Sequence, residues 1–91
     1  MCLQPVIVDF TATWCGPCQR IGPEFVKMAD EFAGAMFIKV DVDKNEETAA
    51  ACGIQAMPTF AAYKGGEKIG GFSGADPAKL RAMIEAALAA A

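Results

Sequence analysis

The sequence predicts an α/β domain with a mixed sheet of about four strands, in the order β-α-β-α-β-β-α. Three observations carry this reading. Short β-rich runs at 6–11, 36–42, 59–63 and 68–72 alternate with segments of helical spacing. Gly65-Gly66 separates the last two runs, as the turn of a two-residue hairpin does. A chain of 91 residues has room for one such unit, so 1–91 is read as one domain.

Val6–Thr11 lacks clean alternation and reads as a strand covered on both faces. After Trp14-Cys15-Gly16-Pro17-Cys18, the residues Ile21, Phe25, Met28 and Phe32 recur at steps of four, three and four, a helical stripe facing a core. Gly22-Pro23 predicts a kink near the first turns of that helix, and Gly34 its end. Met36–Val42 reads as a second strand, apolar on both faces apart from Lys39. Asp43 is the predicted cap of the next helix, with Glu46 completing a capping-box-like pair; that helix runs through Ala49–Ala51 and stops at Gly53. Thr59–Tyr63 and Lys68–Phe72 are the third and fourth strands. Asp76-Pro77 supplies a cap and a proline at the first helical position, and Leu80, Ile84 and Leu88 mark the inner face of the last helix.

Composition narrows the function. Apolar residues make up 54% and charged residues 21%, a globular balance, although much of the apolar share is alanine. Eight basic against eleven acidic residues give a net charge of −3, with no basic patch, so nucleic acid is not an expected partner. The absence of histidine excludes Ser–His and Cys–His nucleophile pairs and His-ligated metal sites. No apolar run approaches the roughly 18 residues of a membrane span, so no membrane is expected. Met1 is followed by no charged n-region, long apolar stretch or cleavage site. A cytoplasmic location is therefore expected, where paired cysteines are more often redox-active or metal-bound than structural.

Cys15 and Cys18 stand three apart at a strand-to-helix junction. Three helical residues bring two Cα atoms to roughly 5 Å, within the range a disulfide accepts without backbone movement. Cys15 falls at the helix N-terminus, where free amides and the helix dipole favour a thiolate. Cys18, one turn inside, is expected to be less exposed. Cys15 is thus the expected attacker of a substrate disulfide and Cys18 the resolving thiol. Gly16-Pro17 adds no charge that would over-stabilise the thiolate, which suits a reductant. A zinc site is the alternative, but it would need Cys2 and Cys52, which form no second close pair; no metal is expected.

Asp9 and Lys39 each interrupt an apolar strand, which is costly unless they are paired. One reading turns both outward at a strand edge. The other sets them face to face beneath the cysteine loop, with a buried carboxylate of raised pKa taking the proton from Cys18. Met57-Pro58 precedes a strand and suits either a cis turn or a plain strand start.

Taken together, these residues resemble the thioredoxin family. Trp14-Cys15-Gly16-Pro17-Cys18 matches the family's active-site pentapeptide in full, and the likeness runs from Val6 to the last helix. It includes Val8-Asp9-Phe10, Pro23, Lys39 to Asp43, Met57-Pro58-Thr59-Phe60 and Phe72-Ser73-Gly74-Ala75. Ala12-Thr13-Trp14 and Phe72 to Ala75 are similar to the eukaryotic cytosolic type. The resemblance implies a thioredoxin fold and a protein dithiol–disulfide oxidoreductase. It makes Cys15 the nucleophile, Cys18 the resolving thiol, Asp9 the buried proton acceptor with Lys39 beside it, and Pro58 a cis-proline next to Cys15. It also implies a flat docking surface of Trp14, Gly16, Pro17, Met57, Gly74 and Ala75. No bound cofactor is implied beyond the redox-active disulfide itself. Electrons would come from NADPH through thioredoxin reductase, or through a ferredoxin-linked reductase in plastids. The alternative is an interaction module of the same fold with little turnover.

The departures carry expectations too. Only 13 residues precede Trp14, too few for the strand and helix that usually stand there, so the fold is expected to be N-terminally shortened. The 36–42 strand then becomes an exposed edge, which predicts a destabilised monomer, a homodimer through that edge or segment exchange. Gln19 stands where many relatives carry lysine, removing one positive charge near the thiolate. Cys52 is read as buried packing, with regulatory oxidation as the alternative, and Cys2 as a source of adventitious disulfides.

Overall fold

A computed structural model describes residues 4–51, 53 and 56–90. The expectations for Cys2 and Cys52 lie outside them. The elements are β1 (Val6–Thr11), α1 (Gly16–Glu31), β2 (Met36–Asp41), α2 (Glu46–Ala51), β3 (Thr59–Lys64), β4 (Glu67–Ser73) and α3 (Pro77–Ala89). They follow the order and kinds read from the sequence.

The four strands form one mixed sheet in the order β2-β1-β3-β4. β1 and β2 run parallel, whereas β3 is antiparallel to both β1 and β4. Central β1 buries Ile7, Val8, Asp9 and Phe10 in succession, which is why its apolar run does not alternate. Gly65 and Gly66 take φ of 62° and 80°, the left-handed pair that a type I′ hairpin turn requires. The β3–β4 register slips between Ala62 and Tyr63, a bulge in the outer pair.

β2 is apolar on both faces apart from Lys39, as read, and takes the edge position expected of it among the described residues. It lies at the sheet border, with Met36 53% and Ile38 43% exposed. Residue type shows that these side chains are apolar; it does not show which neighbour covers them.

The main core lies between the sheet and helices α1 and α3. Ile7, Phe60 and Ala62 from the sheet meet Ile21, Phe25 and Met28 of α1 and Leu80, Ile84 and Ala87 of α3. Phe60 stacks on Phe72 with ring centroids 5.3 Å apart, and Phe25 meets Phe37 edge-on at 5.4 Å. Leu88, expected on the inner face of α3, is instead 37% exposed, and Ala87 takes the core position. At the helix end only one of the i+3 and i+4 positions after Ile84 faces inward; Leu88 lies over the turn at Gly34.

Two helix boundaries differ from expectation. α1 runs as one helix through Pro23 and ends at Glu31, with the Phe32 N–H donating to Met28 O, so Gly34 falls in the following turn. Asp43 does not cap α2: the helix begins at Glu46, and the Asn45 carbonyl accepts from Ala49 N at 3.0 Å. At α3 the expected cap is found. Asp76 Oδ1 accepts from Ala78 N and Lys79 N, and Pro77 opens the helix. Asp76→Ala is expected to cost about 1 kcal/mol of unfolding free energy, read from a denaturant titration at unchanged m-value. Arg81 ties α3 to α1, 2.9 Å from Glu31 and 5.4 Å above the Phe32 ring.

Candidate active site

β1 ends at Thr11, and a short loop delivers Cys15 to the N-cap of α1. Extended backbone at Cys15 (φ −90°, ψ 109°) points its sulfur back over the helix start, where Cys15 Sγ accepts from Cys18 N at 3.2 Å. Gly16 and Pro17 form the first turn, where proline's missing N–H leaves no helical bond unmade. Cys15 and Cys18 are disulfide-bonded with Cα atoms 5.3 Å apart, close to the spacing expected of one helical turn. Both are buried, at 5% and 2%, so the expected difference in exposure is small. Around them pack Ala12, Val42 and Met57.

The loop is held from two sides. Gln19 Nε2 donates to Ala12 O at 2.9 Å, and Trp14 Nε1 donates to Asp43 Oδ2 at 2.7 Å. Trp14 is 67% exposed, so this hydrogen bond orients a large apolar ring beside the cysteines without burying it. The Asp43 loop is itself fixed, because Asp41 Oδ1 accepts from Asp43 N at 2.9 Å. Asp43, expected as a helix cap, and Gln19, noted only for a missing charge, are the two site residues whose roles the sequence did not disclose.

Opposite the cysteines, the Met57–Pro58 peptide bond is cis. Gly74 N donates to Pro58 O at 2.9 Å, joining the turn before β3 to the turn after β4. Gly74 is half-buried and Ala75 exposed, as are Met57 and Gly16 respectively; Pro58 is buried and Pro17 half-buried. Trp14, Gly16, Pro17, Met57 and Ala75 thus each keep some surface.

Asp9 is one of the most enclosed side chains, 1% exposed, and its Oδ1 has no hydrogen-bond partner among the described residues. Alternation along β1 sets it on the same face as Ile7, beneath α1 and one step nearer the cysteines. Its pKa is raised from 3.8 to about 6: burial disfavours the carboxylate, and the nearby positive charge of Lys39 offsets part of that effect. Asp9 and Lys39 are direct partners in the β1–β2 register. Their expected adjacency therefore holds, but not as a buried pair, because Lys39 is exposed on the border strand. Its ammonium reaches along the sheet toward α1, 3.9 Å from where a Cβ on Gly22 would stand.

A cystine at a helix start, in a domain that also buries a carboxylate of raised pKa, is equipped for reversible thiol–disulfide exchange. Among the described residues no group of three or more His, Cys, Asp or Glu could hold a metal ion, and no helix is long and apolar enough to cross a membrane. Comparison with known proteins agrees with the geometry. The family model for thioredoxin matches residues 2–86. Thioredoxin of Geodia cydonium is 57% identical over 81 residues, covering 88% of this chain and 76% of that protein. Thioredoxin-1 of Schizosaccharomyces pombe is 55% identical over 83 residues, covering 91% and 81%. Among solved structures, Fasciola hepatica thioredoxin superposes with a TM-score of 0.90 at 47% identity, covering 91% of this chain and 80% of that one. By site, fold and sequence, this chain belongs to the thioredoxin family and is a dithiol–disulfide oxidoreductase working through its Cys15–Cys18 pair.

Proposed function

We propose that the protein reduces disulfides in protein substrates, with Cys15 as nucleophile, Cys18 as resolving thiol and Asp9 as proton acceptor. The Cys15 thiolate attacks one sulfur of the substrate disulfide. A mixed disulfide forms and the other substrate sulfur leaves as a thiolate. Cys18 then gives its proton to the Asp9 carboxylate and attacks Cys15 Sγ. The Cys15–Cys18 disulfide closes, the second substrate thiol departs, and two electrons have passed to the substrate. The positive charge of Lys39 offsets part of the burial that raises the Asp9 pKa, which favours the carboxylate needed to accept the proton. Trp14, Gly16, Pro17, Met57, Pro58, Gly74 and Ala75 form the surface on which an extended substrate segment docks.

Electrons return from NADPH through a thioredoxin reductase, and the protein works in the cytoplasm as one unit over 1–91. Self-association through β2 belongs to the same proposal. The observation that carries the reading is the Cys15 sulfur at the N-cap of α1, already accepting a hydrogen bond from Cys18 N.

Alkylation of the reduced protein near neutral pH tests it. Mass spectrometry should find Cys15 modified well ahead of Cys18, and faster than the same sequence in an unstructured peptide. Acceleration of insulin reduction by dithiothreitol is the matching activity. Equal alkylation rates at the two positions, or no acceleration by a folded protein, would leave an interaction module.

A further inference from the structure

The exchange chemistry leaves one side-chain arrangement without a role. Thr59 opens β3 directly after the cis bond, and Ser73 closes β4. The two are register partners in the antiparallel pair. Gly74 N donates to Pro58 O at 2.9 Å, so 58 and 74 form a hydrogen-bonded rung. Residues 59 and 73, next along, fall on a rung without backbone bonds, where side chains approach most closely. Their hydroxyl oxygens lie 3.2 Å apart. Thr59 Oγ1 donates to Ala56 O. A hydroxyl has one proton to give, so Ser73 is the donor to Thr59 Oγ1. The result is a directed relay from the Ser73 hydroxyl through the Thr59 hydroxyl to the Ala56 carbonyl.

Burial does not demand this relay. Ala56 and Ser73 are exposed, and water can satisfy both. Thr59 is the buried member, and the Ala56 carbonyl alone satisfies its hydroxyl. What the relay adds is fixed geometry where the backbone is short of ties. Pro58 has no N–H, so the last rung of β3–β4 carries one bond in place of two. Ala56 and Thr59 flank the Met57–Pro58 bond, and the relay ties both to the end of β4. Met57 packs against the cysteine cluster and is half-buried. Its own N–H and C=O bond to nothing among the described residues. An open backbone unit beside the cysteines is thus bracketed by two fixed neighbours.

We propose that Thr59 and Ser73 are positioning residues for protein substrates, their hydroxyls holding the Met57 backbone open and in place for an extended substrate segment. This rests on the docking reading given above and supplies it with a source of affinity. A segment that pairs its own N–H and C=O with Met57 meets groups already oriented, so binding has less ordering to bring about. Neither hydroxyl is hydrogen-bonded to a cysteine, so the exchange steps do not run through them. A small disulfide has no segment to lay along Met57 and gains nothing from the relay.

Two substrates test this: insulin at steady state with dithiothreitol in excess, and dithiobis(nitrobenzoate) in a single turnover of the prereduced protein. Thr59→Val removes the hydroxyl at nearly constant shape. Its KM for insulin should rise about threefold to tenfold, the weight of one ordinary hydrogen bond, with kcat unchanged. Ser73→Ala should raise KM by less, and should add nothing to Thr59→Val, because both act through one relay. Thr59→Ser keeps the hydroxyl and should restore the original KM. Each variant should reduce the small disulfide at the unmodified rate, which also shows that it is folded. An unchanged insulin KM in Thr59→Val overturns the proposal. So do additive losses in the double variant, no recovery in Thr59→Ser, or equal losses on both substrates. Ser73 is exposed, so an unchanged KM in Ser73→Ala decides against the relay even where Thr59→Val does not fold. An unmodified protein that reduces the small disulfide but not insulin fails earlier, at the docking reading itself, and takes this inference with it.

Discussion

Cys18→Ser is expected to convert the protein from a turnover catalyst into a trap. Cys15 can still attack a substrate disulfide, but no second thiol remains to release it, so substrate stays attached as a mixed disulfide. Catalytic reduction of insulin should fall to background. A non-reducing gel should show adducts that vanish with dithiothreitol, and peptide mapping should place each on Cys15. Cys15→Ser should also abolish turnover, but without adducts. The asymmetry follows from position: Cys15 is the N-cap residue, whereas Cys18 lies within the first turn of α1. Adducts on Cys18 in Cys15→Ser, and none in Cys18→Ser, would reverse the two roles.

Asp9→Asn is expected to make the protein more stable and less active. The folded pKa of Asp9 is raised from 3.8 to about 6, so the native state binds this proton more tightly than the unfolded chain does. The stability linked to that proton is fully present below the unfolded value and is lost as pH rises through about 6. The interval corresponds to roughly 3 kcal/mol at most. An uncharged amide avoids that loss, although it too must find hydrogen bonds in the enclosed site. Unfolding titrations should therefore show Asp9→Asn more stable by roughly 1–3 kcal/mol near neutral pH, with the gain disappearing in acid. The resolving step should slow on the order of 10²-fold, and its acid limb near the Asp9 pKa should vanish. Unaltered resolving kinetics would remove Asp9 from the chemistry and leave it a structural oddity.

Much of the molecule was readable from local signals. Asp76-Pro77 marks a helix start because cap and proline act within a few residues. Gly65-Gly66 marks a hairpin because the turn needs positive φ. Cys15-Gly16-Pro17-Cys18 marks a redox pair because one helical turn sets its span. What escaped the reading depends on neighbours distant in the chain. Trp14 and Asp43 are 29 residues apart, and nothing in either local sequence announces their hydrogen bond. The edge position of β2, by contrast, was expected, and among the described residues β1 is its one strand partner. Leu88 fits a helical period, yet in the last turn of α3 the core position is taken by Ala87. Periodicity records which residues share a side; it does not record whether anything lies opposite.

The slipped register between β3 and β4 has a consequence for assembly. It leaves β4 as the sheet's other rim, opening on Glu67 and Lys68, weakened by Gly70 and Gly71, and out of step with its own partner. Such a rim is a poor template for another chain. Growth of the sheet through β4 is therefore disfavoured, so this margin does not seed a fibre of added chains.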